Sequence, residues 1–335
     1  MNKADYKGIW VFAEQENGVL SSTPLELLAK AIDLKAKLGG TDVITAVLLG
    51  KDVAGISDTL FAQGAEQVIV LENDALAVYK HRVYANALVK LVEKHKPSIF
   101  LFAASPIGRE LAPRVMARLG TGLTADAIDL DVDEDGTFVQ TTPNFGGNIL
   151  SHIAIPEKRP QMCTVHPKVF EPIAPIAGAS GVVITEDIDV CDDEDFVILN
   201  TEEKVFASQP IDKANVVVAG GFGVKNEEDL ALLSTLAELI GGQVGCSRPL
   251  RETGMLGHEL QIGQSGATIT PELIINVAIS GSVQYMAGMD KSKCIMSINK
   301  DPNATIFSAS HYGAVADYRK LVPAIIDEIN ARKQA

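Results

Sequence analysis

Five short turns in the last third of the chain carry residue types that bind nucleotides. In chain order they are Gly221-Phe222-Gly223, Ser247-Arg248, Gln261-Ile262-Gly263-Gln264-Ser265-Gly266, Ser280-Gly281-Ser282 and Asn299-Lys300-Asp301-Pro302. Doubly wound sheets bind nucleotides where strand ends run into glycine- and serine-rich turns, and the backbone N–H groups of such turns suit a phosphate. Any one turn is equally consistent with a plain connection, but five at one sheet edge favour a ligand site.

The other residues that could carry chemistry point to no catalytic or metal site. Asn226 stands where a dinucleotide fingerprint would place its third glycine, and a lone arginine at a strand end, such as Arg248, is usually a surface ion pair. The six histidines show neither metal-ligand spacing nor a Ser-His-Asp arrangement. The four cysteines form no CxxC pair, which indicates a reducing, cytoplasmic compartment and no zinc site.

Apolar runs and amphipathic stretches alternate through the first 120 residues. Strands are predicted at 8–13, 43–49, 67–71 and 98–103, and helices at 53–63, 84–95 and 108–119. A further helix is predicted to begin at Thr23 as N-cap, with Pro24 next and Glu26 in the capping-box position. This rhythm predicts a parallel sheet with helices on both faces.

Between residues 120 and 203 the pattern changes to short strands and turns. Asp135-Gly136 predicts a hairpin within an insertion at about 128–165. Asp131, Asp133 and Asp135 also imitate the start of an EF-hand loop, but Thr142 stands where the bidentate acid is needed, which favours the solvated hairpin. The acid-rich segment 186–203 is predicted to be a strand followed by a surface linker.

The α/β pattern resumes after residue 214. Strands are predicted at 215–219, 243–246, 273–279 and 294–299, with helices at 227–240, capped by Asn226, and at 321–332. Residues 1–203 hold 30 of the 43 acidic side chains but 17 of the 29 basic ones, so the two parts differ in charge. We therefore predict an α/β protein of two domains, 1–203 and 204–335, each with a mainly parallel, doubly wound sheet.

Charge and hydropathy argue against several classes of protein. The formal net charge of −14 would repel nucleic acid and anionic membranes. Since no run of 18 apolar residues occurs, no membrane span is predicted. The acids Asp5, Glu14 and Glu16 do not fit a signal peptide.

Several segments form a pattern that is specific in both order and spacing. In the C-terminal part they are CSR (246–248), QIGQSG (261–266), ISGSVQYMAGM (279–289), INKDP (298–302) and YGAVAD (312–317). Together they resemble the FAD-binding domain of the electron-transfer flavoprotein alpha subunit. SPIGRELAPR (105–114) and TGLTAD (121–126) resemble the same family, so the resemblance covers nearly the whole chain.

The resemblance implies a heterodimer with a smaller beta subunit, which the N-terminal domain would dock, and FAD in the C-terminal domain. It implies no catalytic residue and this cofactor-binding set: Ser247, Arg248, Gln261, Ile262, Gly263, Gln264, Ser265, Ser280, Gly281, Ser282, Val283, Gln284, Tyr285, Asn299, Asp317 and Tyr318. Arg248 would lie against the isoalloxazine ring, and Ser265 would reach the flavin N5. The turn 280–283 would face the pyrophosphate, while Asn299 and Asp317 would hold the adenosine half.

Three positions depart from the commonest family pattern. Phe222 stands where a GG-R-G turn usually has arginine, which removes one cationic contact to the cofactor. Ser265 replaces a frequent threonine and keeps the hydroxyl. Tyr285 replaces a frequent histidine near the pyrimidine end of the flavin, where it could donate a hydrogen bond but carries no positive charge near neutral pH.

The resemblance implies electron transfer between an acyl-CoA dehydrogenase and another redox partner, such as a quinone reductase. A variant is flavin-based bifurcation from NADH to ferredoxin and an enoyl-CoA, because KRPQMCTV (158–165) and FGGNI (145–149) resemble that anaerobic branch. The alternative from a different class is a stand-alone NAD-binding enzyme, since a fold alone implies no function. Against it, no catalytic base is evident beside the turns.

Overall fold

The computed structural model describes residues 3–144, 149–202 and 210–334. The chain divides into two compact units, Met1–Thr201 and Glu202–Ala335. Residues 145–148 of the FGGNI run and Glu203 of the predicted linker lie outside the described residues. Within the described ranges, no helix combines the length and the apolar character that a bilayer crossing requires.

The first unit is built on one large parallel sheet. Its helices are α1 (Thr23–Lys37), α2 (Ser57–Ala62), α3 (His81–His95) and α4 (Pro106–Leu119). Its strands are β1 (Ile9–Phe12), β2 (Gln15–Glu16), β3 (Val19–Leu20), β4 (Ile44–Gly50), β5 (Gln67–Glu72), β6 (Ile99–Ala103), β7 (Gly122–Ala127), β8 (Asp129–Val132), β9 (Phe138–Asn144), β10 (Ile149–Ala154), β11 (Gln161–Val165) and β12 (Val182–Glu186). Seven of them form the parallel sheet, in the order β12-β5-β4-β1-β6-β11-β7.

Side chains of β1 alternate between two cores, one on each face of this sheet. Ile9 and Val11 pack on the face covered by α1, whereas Trp10 and Phe12 pack on the face covered by α3 and α4. Alternation with a period of two places successive strand residues on opposite faces. Each large buried side chain contributes about 1.5–3 kcal/mol of transfer free energy, so both faces hold the sheet, as the prediction of a doubly wound sheet requires.

The predicted capping box of the first helix is wrong. Ser22 holds the cap position without a side-chain hydrogen bond, and Thr23 is already the first helical residue. The Glu26 carboxylate accepts a hydrogen bond from the Lys168 backbone amide, at 2.8 Å, and is therefore committed to a distant loop.

The predicted helix at 53–63 is shorter than expected. A 3-10 turn precedes α2, and the backbone amides of Val53 and Ala54 donate to the Glu72 carboxylate at 2.6 and 2.9 Å. A side chain from the end of β5 therefore satisfies the first amides of this segment.

The predicted hairpin around Asp135-Gly136 is confirmed, because β8 and β9 pair antiparallel across it. The Asp133 carboxylate accepts from the amides of Asp135 and Thr137, at 3.0 and 2.8 Å, and so stabilises the turn. The predicted end of the insertion at 165 is wrong. Strand β11 is fully buried and lies between β6 and β7 in the parallel sheet.

Residues 187–196, which follow β12, form a strap along α3. Lys80 pairs with Asp192 at 2.6 Å, and Arg82 lies 3.2 Å from Asp195. At the start of the strap the buried Glu186 carboxylate is hydrogen-bonded to Lys94 and His95, both at 2.6 Å. Burial opposes ionisation, but these two hydrogen bonds hold the pKa of Glu186 below its usual range.

The second unit has a five-stranded parallel sheet in the order β14-β13-β15-β16-β17. Its elements are β13 (Val216–Gly220), α5 (Glu227–Leu239), β14 (Gln243–Cys246), α6 (Arg248–Arg251), β15 (Leu273–Val277), α7 (Val283–Met286), β16 (Cys294–Asn299), β17 (Tyr312–Val315) and α8 (Tyr318–Gln334). Side chains pack on both faces, so the predicted α/β class holds for both units.

Most predicted elements of the second unit are confirmed, with shifted ends. The Asn226 side chain accepts from the Asp229 amide at 2.8 Å and caps α5 as predicted. Strand β15 ends two residues early, at Val277, and α8 begins three residues early, at Tyr318. Strand β17 was not predicted, because its four residues are largely exposed and include a glycine.

We expect that removing Lys80 and Arg82, the cationic partners of the strap, makes residues 187–196 more accessible to a protease. In the Lys80→Gln/Arg82→Gln double variant, cleavage after Glu194 by a Glu-specific protease should rise about fivefold, since exposed ion pairs contribute about 0.2–1 kcal/mol each. Arg332→Gln, which removes an ion pair on α8, is the matched control and should leave the rate unchanged. Equal cleavage rates in all three proteins would show that the ion pairs do not hold the strap.

Candidate cofactor site

The strand order of the second sheet reverses between β13 and β15. At such a switch point the two connections leave on opposite faces, and ligands bind outside the carboxyl ends of the strands. Gly221 donates its amide to the Val277 carbonyl at 2.8 Å. A Cβ on Gly221 would meet the Ala278 carbonyl oxygen at 2.1 Å, and one on Gly223 would meet the Ala278 side chain at 2.6 Å. These glycines are therefore required by the close approach of two turns.

The turn after β15 presents free backbone donors at this edge. Within the described part of the chain, the amides of Ser280, Gly281 and Ser282 have no protein acceptor. Gly281 has φ +88°, and a Cβ there would lie 2.2 Å from the Ile306 backbone nitrogen. The Ile306 amide itself donates to the Ser280 carbonyl at 2.9 Å. Successive free N–H groups in a fixed turn form an anion-binding arrangement.

The loop 261–266 packs against α7 and against the end of β14. Gln264 donates its amide to the Gln284 carbonyl at 2.8 Å, and Ile262 donates to the Cys246 carbonyl at 2.8 Å. Gly263 adopts φ +128°, which a side chain rarely allows. The loop is thereby joined to the turn at 280–282.

Ser265 is the exposed hydroxyl of this loop. Its oxygen accepts a hydrogen bond from the Gln261 side-chain amide at 3.0 Å, and Arg251 in turn donates to the Gln261 side-chain oxygen at 3.0 Å. Because Gln261 is buried and acts only as a donor to Ser265, the hydroxyl proton of Ser265 remains available to a ligand.

Two cations lie on turns of this edge. Arg248 is 65% exposed at its side chain and pairs with Glu252 at 2.8 Å, one helical turn away. Lys225 places its ammonium 3.2 Å from the centroid of the Phe222 ring. Lys225 therefore places a cation beside Phe222 in the turn after β13. No sequence motif singled out this lysine, although it stands only three residues after Phe222.

The Tyr285 hydroxyl, for which the resemblance implies a hydrogen bond to the cofactor, has a partner inside the protein. The Tyr285 side chain is 4% exposed, and its hydroxyl donates to the buried Asn276 side-chain oxygen at 2.6 Å. Burial raises the pKa of Tyr285 well above its ordinary value, so the group stays neutral. Its ring packs in the apolar core of the second unit.

Three further predicted residues lie at the same edge but serve mainly the protein. Asn299 donates to the Ile279 carbonyl at 2.8 Å and accepts from the Asp301 amide at 2.9 Å. The buried Tyr318 hydroxyl donates to the Gly223 carbonyl at 3.1 Å. Asp317 is exposed, and its carboxylate accepts from the Arg319 amide at 3.0 Å.

Exposure therefore separates the predicted cofactor-binding residues into two groups. Those with exposed side chains are Arg248, Gln264, Ser265, Ser280, Ser282, Gln284 and Asp317. Those that are buried, or half-buried in the case of Val283 and Asn299, are Ser247, Gln261, Ile262, Gly263, Gly281, Val283, Tyr285, Asn299 and Tyr318. The first group can contact a ligand through side chains, whereas the second supports the turns.

An ion pair between the buried Asp229 and the exposed Arg319 fixes the turn after β13 to α8. Asp229 accepts two hydrogen bonds from the Arg319 guanidinium, both at 2.8 Å, and one from the Lys225 amide at 3.1 Å. The Arg319 hydrogen bonds hold the pKa of the Asp229 carboxyl well below its usual range. This pair also orients the backbone from which Lys225 projects.

The fold defines a two-unit α/β protein whose second sheet presents polar turns and exposed cations at the carboxyl ends of its strands. Residues 9–190 match the electron transfer flavoprotein domain family, and residues 210–290 match the electron transfer flavoprotein FAD-binding domain family. The chain therefore belongs to the electron transfer flavoprotein alpha subunit family, whose C-terminal domain binds FAD. The alternative of a stand-alone NAD-binding enzyme gains no support.

Similarity to individual relatives extends over nearly the whole chain. The chain is 41% identical to the electron transfer flavoprotein subunit alpha of Thermoanaerobacterium thermosaccharolyticum, covering 98% of this chain and 99% of the relative. It is 40% identical to that of Megasphaera elsdenii, covering 99% of each. It is also 39% identical to the lactate dehydrogenase (NAD(+),ferredoxin) subunit LctC of Acetobacterium woodii, covering 98% of this chain and 78% of the relative.

We expect Asp229→Asn to lower the free energy of unfolding by about 1–3 kcal/mol at pH 7, because it removes a charged hydrogen-bond acceptor. A depressed carboxyl pKa contributes stability above the unfolded value of about 4 and loses it as the pH falls. The difference from wild type should therefore shrink in urea titrations at pH 3. Glu328→Gln, in an exposed pair with Arg332, is the control and should show little effect at either pH. An equal loss for Asp229→Asn at pH 3 and pH 7 would contradict the assignment.

Proposed function

We propose that this chain carries FAD at the carboxyl edge of its second unit, as the alpha subunit of a heterodimer with an electron-transfer flavoprotein beta subunit. It passes electrons between an acyl-CoA dehydrogenase and another redox partner. The observation that carries the proposal is the set of acceptor-free amides at Ser280, Gly281 and Ser282, at the switch point of the domain that matches the FAD-binding family.

The residues present fit a flavin dinucleotide. The free amides of the turn at 280–282 are suited to phosphate oxygens, and the cations Lys225 and Arg248 offset their negative charge. The Ser265 hydroxyl can donate a hydrogen bond to a ring nitrogen. When bound, the isoalloxazine ring supplies the electron chemistry, and the protein binds it, orients it and sets its electrostatic surroundings.

Arg248 can leave its present partner at low cost. Its pair with Glu252 is exposed and spans one helical turn, and such pairs contribute about 0–1 kcal/mol. A contact between a cation and a partly desolvated anionic ring is worth about a few kcal/mol at an intermediate dielectric. Exchanging the Glu252 contact for a contact with the isoalloxazine ring is therefore favourable. In that position Arg248 would stabilise negative charge on the ring.

The first unit is proposed to bind no cofactor and to dock the beta subunit. At its own switch point, between β1 and β6, the Glu14 carboxylate accepts a hydrogen bond from Ser105 at 2.5 Å. Ser105 also caps α4 by accepting from the Gly108 amide at 2.9 Å. An acidic side chain at this helix start takes the place that a phosphate would need and repels it.

A bifurcating assembly is the second candidate, favoured by one observation. The relative LctC carries NAD(+) and ferredoxin in its name. In such an assembly the NADH site and a second flavin would belong to the beta subunit, while the role of this chain would stay the same.

Counting flavins tests the proposal. The chain is co-expressed with the beta subunit encoded by the neighbouring reading frame, and FAD and AMP are quantified per heterodimer. One FAD with one AMP supports the simple carrier, and two FAD support bifurcation. Failure to form a complex, or a complex without flavin, would refute the proposed function, and NAD turnover by this chain alone would favour the enzyme alternative.

We expect Arg248→Gln to make the potential of the bound flavin more negative while FAD occupancy stays full. The reason is that a permanent cation near the ring favours its reduced, negatively charged form. Spectroelectrochemistry of the heterodimer measures the potential, with Arg332→Gln as the control for a lost surface cation. An unchanged potential at full occupancy would show that Arg248 does not face the ring.

We expect Gly281→Ala to lower FAD occupancy severely, because its Cβ would clash with the Ile306 backbone. Gly254→Ala is a matched control: Gly254 has φ +84° against +88° for Gly281, but nothing lies within 4 Å of its added Cβ. Both variants bear a similar backbone penalty of about 1 kcal/mol, so only the clash differs. Circular dichroism verifies the fold, and equal flavin content in folded samples of both variants would contradict the placement of the turn.

A further inference from the structure

A chain of polar side chains, all buried except the half-buried Ser310, runs beneath the turn that carries the free amides. Tyr285 of α7 donates to the Asn276 side-chain oxygen at 2.6 Å, and the Asn276 amide donates to the Ser297 hydroxyl oxygen at 3.3 Å. Asn276 and Ser297 are directly opposite one another on β15 and β16, and each is 1% exposed. The Ser297 and Ser310 hydroxyl oxygens are 2.7 Å apart. The chain therefore crosses two strands and reaches the segment before β17.

The direction of each proton in this chain follows from the partners. The Ser310 hydroxyl has one proton and donates it to the Ile306 carbonyl at 2.8 Å. Ser297 must then supply the proton between the two serines, and it accepts from Asn276 in turn. Tyr285, whose hydroxyl stays protonated because burial raises its pKa, donates at the start of the chain. A buried network in which every member is satisfied is rigid and costly to break.

The chain closes on the turn from which it starts. The Ile306 backbone accepts from Ser310 through its carbonyl and donates through its amide to the Ser280 carbonyl at 2.9 Å. Tyr285 lies five residues after Ser280, and its backbone amide is bonded to the Ser282 hydroxyl oxygen at 3.4 Å. The polar chain therefore holds the turn at 280–282 from both of its ends.

We infer that Asn276 is a positioning residue for the cofactor turn: through Tyr285 on one side and the chain Ser297–Ser310–Ile306 on the other, it fixes the three free amides in a binding geometry. The inference rests on the proposed FAD site. Asn276 does not contact the cofactor, and Tyr285 serves as an anchor inside the protein. An amide is required at position 276 because it must accept from Tyr285 and donate to Ser297 simultaneously.

The test compares FAD affinity with stability in the heterodimer stripped of its flavin. Tyr285→Phe removes the first donor and Ser297→Ala removes the middle of the chain, and each should raise the Kd for FAD about five- to tenfold. Ser292→Ala is the matched control, since Ser292 is also a buried serine whose hydroxyl donates to a backbone carbonyl, that of Met289, at 2.6 Å. The Kd of the Ser292→Ala variant for FAD should be unchanged, even if its thermal stability falls as much as that of Ser297→Ala. Ser297→Thr keeps the hydroxyl and should restore most of the affinity.

The double variant Tyr285→Phe/Ser297→Ala separates a connected chain from two independent contacts. Because both changes break one network through Asn276, the double variant should bind FAD little worse than either single variant. The inference would be overturned if the increases in Kd of the two single variants multiply in the double variant. It would also be overturned if Ser292→Ala raises the Kd for FAD in step with its loss of stability. An effect of Tyr285→Phe without any effect of Ser297→Ala would overturn it as well. If the wild-type heterodimer takes up no FAD, the proposed function itself fails, which is a distinguishable result.

Discussion

The close contact between the turns after β13 and β15 is the constraint on which the cofactor edge depends. Gly221 approaches the Ala278 carbonyl so closely that a Cβ would meet its oxygen at 2.1 Å. The turn at 280–282 then leaves the sheet with amides that have no acceptor among the described residues, while Ile306 fills the space behind Gly281. The exposed side chains of Arg248 and Asp317 are added from the ends of β14 and β17, because parallel strands bring all their carboxyl ends to one edge. Those of Gln264 and Ser265 are added from the loop 261–266.

The two units use the same architecture in opposite ways. Both have parallel sheets with a switch point, but the first unit places the Glu14 carboxylate and the Ser105 cap there. The second places there the amides of Ser280 and Gly281, which have no acceptor in the part of the chain that the structure describes, with Lys225 and Arg248 on neighbouring turns. Fold alone therefore does not locate the site, whereas the sign of the charges at each switch point distinguishes the two edges.

Much of this arrangement could be predicted from the sequence, because strands and turns are encoded locally. The buried run of β16 and the Asn226 cap are read from a few adjacent residues. The partners of long side chains could not be predicted, since they depend on packing. The resemblance implies that Tyr285 lies near the cofactor, but nothing local indicates that Asn276, nine residues earlier, accepts a hydrogen bond from its hydroxyl. Likewise, nothing local indicates that the acidic strap would pair with cations at the start of α3, Lys80 and Arg82.

Amide hydrogen exchange of the flavin-free heterodimer, measured with and without added FAD, tests the central claim most directly. We predict that FAD slows exchange at Ser280, Gly281 and Ser282, because these amides, which have no acceptor among the described residues, gain hydrogen-bond partners. Peptides around Glu14 and Ser105 should exchange at the same rate in both samples. Protection at the first switch point of this chain, with none at 280–282, would contradict the placement of the cofactor in the second unit.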